Sequence, residues 1–157
     1  MRTMQTWLDE YGDSHRNPVN KKIHWICVPL IMLSTIGLFW SIPHSYFPDI
    51  GLGFSLDWGI IFILFTMIFY VRLSVIMFIG MSLIGALLIL GNLWLMQTFD
   101  LPLWQTSLLI FVPAWLGQFI GHKIEGKKPS FFKDVQFLLI GPAWLLSFIY
   151  QKLGIRY

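Results

Sequence analysis

The sequence predicts an all-α, polytopic membrane helix bundle with four or five membrane segments, and three observations carry that expectation. Residues are 56% hydrophobic against only 12% charged, with a mean hydropathy of +0.67 over 157 residues. A soluble domain carries about 25% charged residues, and one this small leaves much of its surface in water. Long apolar stretches recur along the chain, separated by short polar hinges. Lysines and arginines fall in alternate hinges, as the positive-inside rule requires of a chain that crosses a bilayer repeatedly. Length leaves room for a single membrane domain, 1–157.

Residues 4–11 place Trp7, Leu8 and Tyr11 on one helical face, with Gly12 as a stop, which reads as a short interfacial helix. No apolar run lies near the start, and Asp9, Glu10 and Asp13 are incompatible with a cleavable signal. Asn17-Pro18 reads as an N-cap followed by proline at the first helical position. The helix it opens runs into the first apolar stretch, Ile23 to Ile42, where Pro29 should kink it. Pro43 to Asp57 is a loop. Trp58 to Met96 is nearly unbroken apolar sequence, too long for one span of about 20 residues, and divides most economically near Tyr70 to Ser74. Gln97 to Pro102 is a polar hinge before a fourth span, Leu103 to Gly121. Val135 to Tyr150 is shorter and broken by Gly141-Pro142. It is readable as a fifth span, a re-entrant segment or an interfacial helix.

Arg2, Arg16, Lys21 and Lys22 precede the first span, Arg72 lies between the second and third, and Lys123, Lys127, Lys128 and Lys133 follow the fourth. Segment 1–22 and the 122–134 loop are therefore expected in the cytoplasm, in a bacterial inner membrane or, in a eukaryote, the endoplasmic reticulum. The net charge of +3 follows this topology, and nothing points to a nucleic-acid partner. Cys27 is alone, so there is no disulfide or CxxC motif. No feature sets an oligomeric state.

The same topology sorts the histidines. His15, His24 and His122 fall at one membrane face, and His44 at the other. Gln118, His122 and Glu125 form one helical stripe, and Asn20 and His24 are one turn apart. Gly117 and Gly121 make a small-xxx-small pair that admits a neighbouring helix. Three histidines and a carboxylate suit non-haem iron, with Asn20 and Gln118 as supporting donors. The plainer alternative is that histidines at membrane edges sit among headgroups and that the basic loop merely obeys topology. No compact HxxxH or HExxH motif is present. Trp25, Trp115 and Phe119 lie in or beside the first and fourth spans and read as packing. Asn92, alone deep within a span, reads as a helix–helix hydrogen bond.

Two strings carry a resemblance. One is Tyr11-x3-His15-x-Asn17-Pro18-x-Asn20-x3-His24 followed by Val28-Pro29. The other is Gln118-Phe119-Ile120-Gly121-His122, then Glu125, Lys127-Lys128-Pro129, Gln136 and Gly141-Pro142. Together they resemble the 2-hydroxy fatty acid dioxygenases. That resemblance implies Fe(2+)-dependent alpha-oxidation: a 2-hydroxy fatty acid and O2 give a fatty acid one carbon shorter. It implies His15, His24 and His122 as catalytic iron ligands. Glu125 is expected to join them, with Tyr11, Asn20 and Gln118 in support and Lys127 and Lys128 on the substrate carboxylate. The competing reading is a non-catalytic membrane lipid-binding or scaffold protein whose polar cluster ties helices together.

Overall fold

The computed structural model describes residues 2–43, 56–132 and 135–157. His44, and most of the loop between the first two apolar stretches, lie outside the described residues. Among the described residues there are six α-helices and no strand: α1 (Met4–Gly12), α2 (Pro18–Trp40), α3 (Trp58–Leu73), α4 (Val75–Thr98), α5 (Leu103–Glu125) and α6 (Phe137–Lys152).

Local chemistry sets the boundaries. Asn17 caps α2 by accepting from the Val19 N–H, and Pro18 occupies the first turn, where its missing N–H costs nothing. Asp57 caps α3 through the Ile60 N–H. Ser74 ends α3 in an extended conformation and caps α4 by accepting from Met77 N–H, so one residue makes the turn between them. At the end of α5, Gly126 adopts φ +73°, and the Lys127 and Gly126 N–H groups close back onto the His122 and Lys123 carbonyls. This left-handed termination needs glycine.

Three helices, α2, α4 and α5, are long and apolar enough to cross a membrane; α3 and α6 are apolar but have 16 residues each. Sixteen residues reach roughly 24 Å, short of a hydrocarbon core about 30 Å thick. The outer surfaces of α3, α4 and α5 are strongly apolar, with Phe65 68% and Leu87 66% exposed. Such a girdle suits lipid and not water.

Two expectations change. The helix carrying Gly141-Pro142 is continuous from Phe137 to Lys152. Tyr70 donates to the Leu139 carbonyl (2.7 Å) and Tyr150 to the Ile76 carbonyl (2.8 Å), so α6 is pinned to α3 and α4 on either side of its proline. Helix α2 is also unbroken at Pro29, as a helix kinked by proline is. The apolar face of α1 is buried on α6, with Trp7 edge-on to Phe137 and Tyr11 against Trp144. That face serves the bundle rather than the headgroup layer.

The closest seam joins α2 to α5. A Cβ on Gly117 would lie 2.7 Å from Cys27 Sγ, and one on Gly121 would strike Asn20 Oδ1. Deeper in the bundle, Asn92 on α4 donates to the Leu33 carbonyl of α2 (3.1 Å). Gly117→Val should wedge this seam apart. We expect a loss of about 1–3 kcal/mol, seen as a lower thermal midpoint in detergent. An unchanged midpoint would mean that α2 and α5 are not packed this closely.

Candidate metal centre

The first two turns of α2, the last turn of α5 and the bend between α1 and α2 meet at one end of the seam. His24 comes from α2, His122 from α5 and His15 from the bend. A single straight helix would point His15 and His24 apart, nine residues being two and a half turns. Gly12 to Asn17 breaks that helix and returns His15 over His24. All three imidazoles are buried, and among the described residues they form the group of ligating side chains whose donor atoms lie within 4.8 Å of one another.

Hydrogen bonds define the tautomers. His15 Nδ1 lies 2.6 Å from the Tyr11 carbonyl, and His24 Nδ1 lies 3.0 Å from the Asn20 carbonyl. A carbonyl only accepts, so both Nδ1 atoms carry the proton and both Nε2 atoms carry a lone pair. Those two Nε2 atoms face each other at 2.9 Å. Two acceptors at hydrogen-bond distance repel unless a cation or a proton lies with them. Burial first, and then the neighbouring His24 imidazole, push the His15 ring down to about 3, so a proton is disfavoured at neutral pH. His122 adds a third imidazole, whose Nδ1 is buried without a hydrogen-bond partner.

Neutral imidazoles whose other nitrogen donates to a backbone carbonyl are the usual arrangement around a metal. The residues present fit a divalent ion. Imidazole accepts iron, zinc, copper or nickel, so the donors by themselves specify a class of metal and not one element.

Glu125, expected as a further ligand, is turned elsewhere. Its Oε1 accepts from Arg16 N–H (2.9 Å), and its Oε2 accepts from Asn17 N–H (2.9 Å) and Asn20 Nδ2 (3.0 Å). It is absent from the group of gathered donor atoms. The carboxylate instead clasps the α1–α2 bend to the end of α5, which fixes His15 over His24. Charge-assisted bonds of this kind are about twice as strong as neutral ones.

Of the expected supporting residues, Asn20 is fully buried and joins Glu125 to the Ser14 carbonyl. Tyr11 stacks on His15 with ring centroids 4.1 Å apart, and burial raises its phenol so that it stays protonated. Gln118 lies one turn before His122, and both line a small cavity of about 60 Å³ together with Tyr11 and Ser130. Lys127 donates to the Asp13 carbonyl (2.7 Å). Lys127 and Lys128 line a separate cavity of about 370 Å³ at the rim, with Ser130 and Phe137 belonging to both.

Sequence reasoning passed over three contributors. Ser14 and Ser130 share a hydrogen bond of 2.6 Å, and Ser14 Oγ also lies 3.2 Å from His15 Nδ1. Trp144 of α6 packs 5.2 Å from the His15 ring. Ser14 adjoins a histidine in sequence, but nothing local marks Ser130 or Trp144.

Over residues 1–153 the sequence matches the family model described as 2-hydroxy-palmitic acid dioxygenase Mpo1-like. It is 30% identical over 154 residues to "2-hydroxy-palmitic acid dioxygenase MPO1" of Saccharomyces cerevisiae, covering 96% of this chain and 82% of that relative. No solved structure matches.

Elemental analysis of detergent-purified variants separates ligand from clasp. His122→Ala should reduce bound metal to background. Glu125→Gln keeps the shape but weakens the clasp, and should retain metal with about 10-fold lower affinity. Equal loss in both variants would make Glu125 a ligand.

Proposed function

The chain belongs to the Mpo1-like family, and on that premise we propose that it is a membrane-embedded, Fe(2+)-dependent dioxygenase that shortens 2-hydroxy fatty acids by one carbon with O2. The observation that carries the reading is the buried pair of imidazole Nε2 atoms at 2.9 Å, with His122 beside them. An oxidative family selects a redox-active ion from the class that imidazoles accept. Bound there, Fe(2+) supplies electron transfer with O2 and a point of chelation for the hydroxyl and carboxylate of the substrate.

The conversion balances without a second reductant. One 2-hydroxy acid and one O2 become a fatty acid one carbon shorter, CO2 and water. The chain's own residues then have three tasks. Lys127 and Lys128 draw the carboxylate to the rim, and Lys127 is held in place by the Asp13 carbonyl. Tyr11, kept protonated by burial, presents an O–H to the head group from the wall of the inner cavity. Phe131, Phe137 and Trp144 surround the inner cavity and His15 with apolar surface, which keeps bulk water from the reacting head.

The whole chain, 1–157, forms one membrane domain in this reading. Helices α2, α4 and α5 cross the bilayer, the shorter α3 returns the chain between α2 and α4, α6 packs among them, and the positive-inside rule favours a cytoplasmic histidine face. The 2-hydroxy acid then partitions into the membrane and enters with its tail in the apolar layer.

Purified protein supplied with Fe(2+), 2-hydroxypalmitate and O2 tests this. It should consume one O2 per pentadecanoate formed, and His15→Ala, His24→Ala and His122→Ala should each fall to background. Turnover that survives loss of any one of the three would overturn the assignment. Lys128→Ala should raise KM with little change in kcat, because the lysine acts at capture.

A further inference from the structure

A larger apolar cavity of about 360 Å³ lies among α2, α3, α4, α5 and α6, beyond the small cavity at the histidines. The two share walls: Ile31, Met32, Trp115, Leu138 and Pro142 line both. Two stripes lead from the histidines into it. On α2, the residues stepping by one turn are His24, Val28, Met32, Thr35 and Phe39; on α5 they are His122, Gln118, Trp115 and Phe111. Phe39 stands about four turns past His24, roughly 22 Å along the helix axis. At that depth it stacks on Phe62 of α3, with centroids 4.5 Å apart and planes 11° from parallel. Both rings line the cavity at its end away from the histidines. Trp115, at the junction of the two cavities, carries a buried Nε1–H without an acceptor.

We propose that this cavity receives the saturated tail of the acid whose head sits at the histidines, and that the Phe39–Phe62 pair sets the longest tail it accepts. The identity of the head group rests on the reaction proposed above; the tail site rests on the cavity itself. An unbranched alkyl tail is the occupant that fits. The walls are apolar, the polar groups are concentrated at one end, and the length is set by two helices running side by side. A ligand oxygen at the junction also supplies the acceptor that Trp115 lacks. Chain length is therefore selected by where the slot stops, while the head remains fixed at the histidines.

The test measures binding before turnover. Saturated, unsubstituted fatty acids from lauric to lignoceric are titrated into the detergent-purified protein, followed by Trp quenching. In the wild type, each added methylene should tighten binding roughly fourfold, referred to the free aqueous acid after correction for uptake by micelles, until the slot is full, after which the gain stops. Phe39→Ala should move that break to longer acids, and Thr35→Leu, which narrows the slot midway, to shorter ones. The opposite directions guard against a variant that is merely destabilised. A break at the same length in both folded variants would overturn the proposal, even with 2-hydroxypalmitate turnover intact. Breaks that shift as expected, with no turnover of any 2-hydroxy acid, would leave the tail site standing and remove the proposed reaction.

Discussion

Two imidazole nitrogens face each other across 2.9 Å in a buried place, and each ring has already given its N–H to a backbone carbonyl. Left alone, each lone pair is an unsatisfied buried acceptor, costing about 1–3 kcal/mol. Much of the architecture holds this contact in place. Asn17 and Pro18 start α2 so that His24 falls in its second turn. Glu125 pins the preceding bend through two backbone N–H groups and Asn20, which brings His15 back over His24. Gly126 stops α5 one residue after Glu125, and Gly121 lets α5 approach Asn20 closely enough for the clasp to close. A cation shared by the histidines would resolve the repulsion, which ties the proposed metal site to the fold of this end of the bundle.

The centre also sits at a boundary between two solvents. Toward the rim lie lysines, serines and the exposed ends of α1 and α5; toward the bundle lie the apolar walls of α2, α3, α5 and α6. A fatty acid has the same division. Placing the donors at the edge avoids the cost of ionised groups near the bilayer midplane, and the proposed tail site would offer a fatty acid surroundings resembling lipid. Asn92, also deep in the bundle, donates its Nδ2 to the Leu33 and Leu88 carbonyls and ties α4 to α2, while its buried Oδ1 has no hydrogen-bond partner.

Hydropathy and charge were enough to read the helical organisation, because lipid constrains both strongly. A turn near Tyr70 to Ser74 between α3 and α4, Asn17-Pro18 as a helix start and 97–102 as a hinge all follow from local chemistry. Topology alone brought His15, His24 and His122 to one face. The direction of Glu125 was not legible: i, i+3 spacing from His122 places it on the same side of α5, but only the returning bend offers it N–H donors. The continuity of α6 was hidden for a similar reason. A proline after a glycine reads as a break until Tyr70 and Tyr150 are known to reach across from and to neighbouring helices. Ser130 and the Phe39–Phe62 pair depend on residues far apart in the chain, so no local pattern reveals them.

The most direct test of the account is X-ray absorption at the iron edge of protein loaded anaerobically with Fe(2+), compared with Glu125→Gln. Three imidazole scatterers in both samples would match a centre built by His15, His24 and His122 with Glu125 outside it. Fewer than three imidazoles, or a change of ligand set in the Glu125 variant, would contradict it.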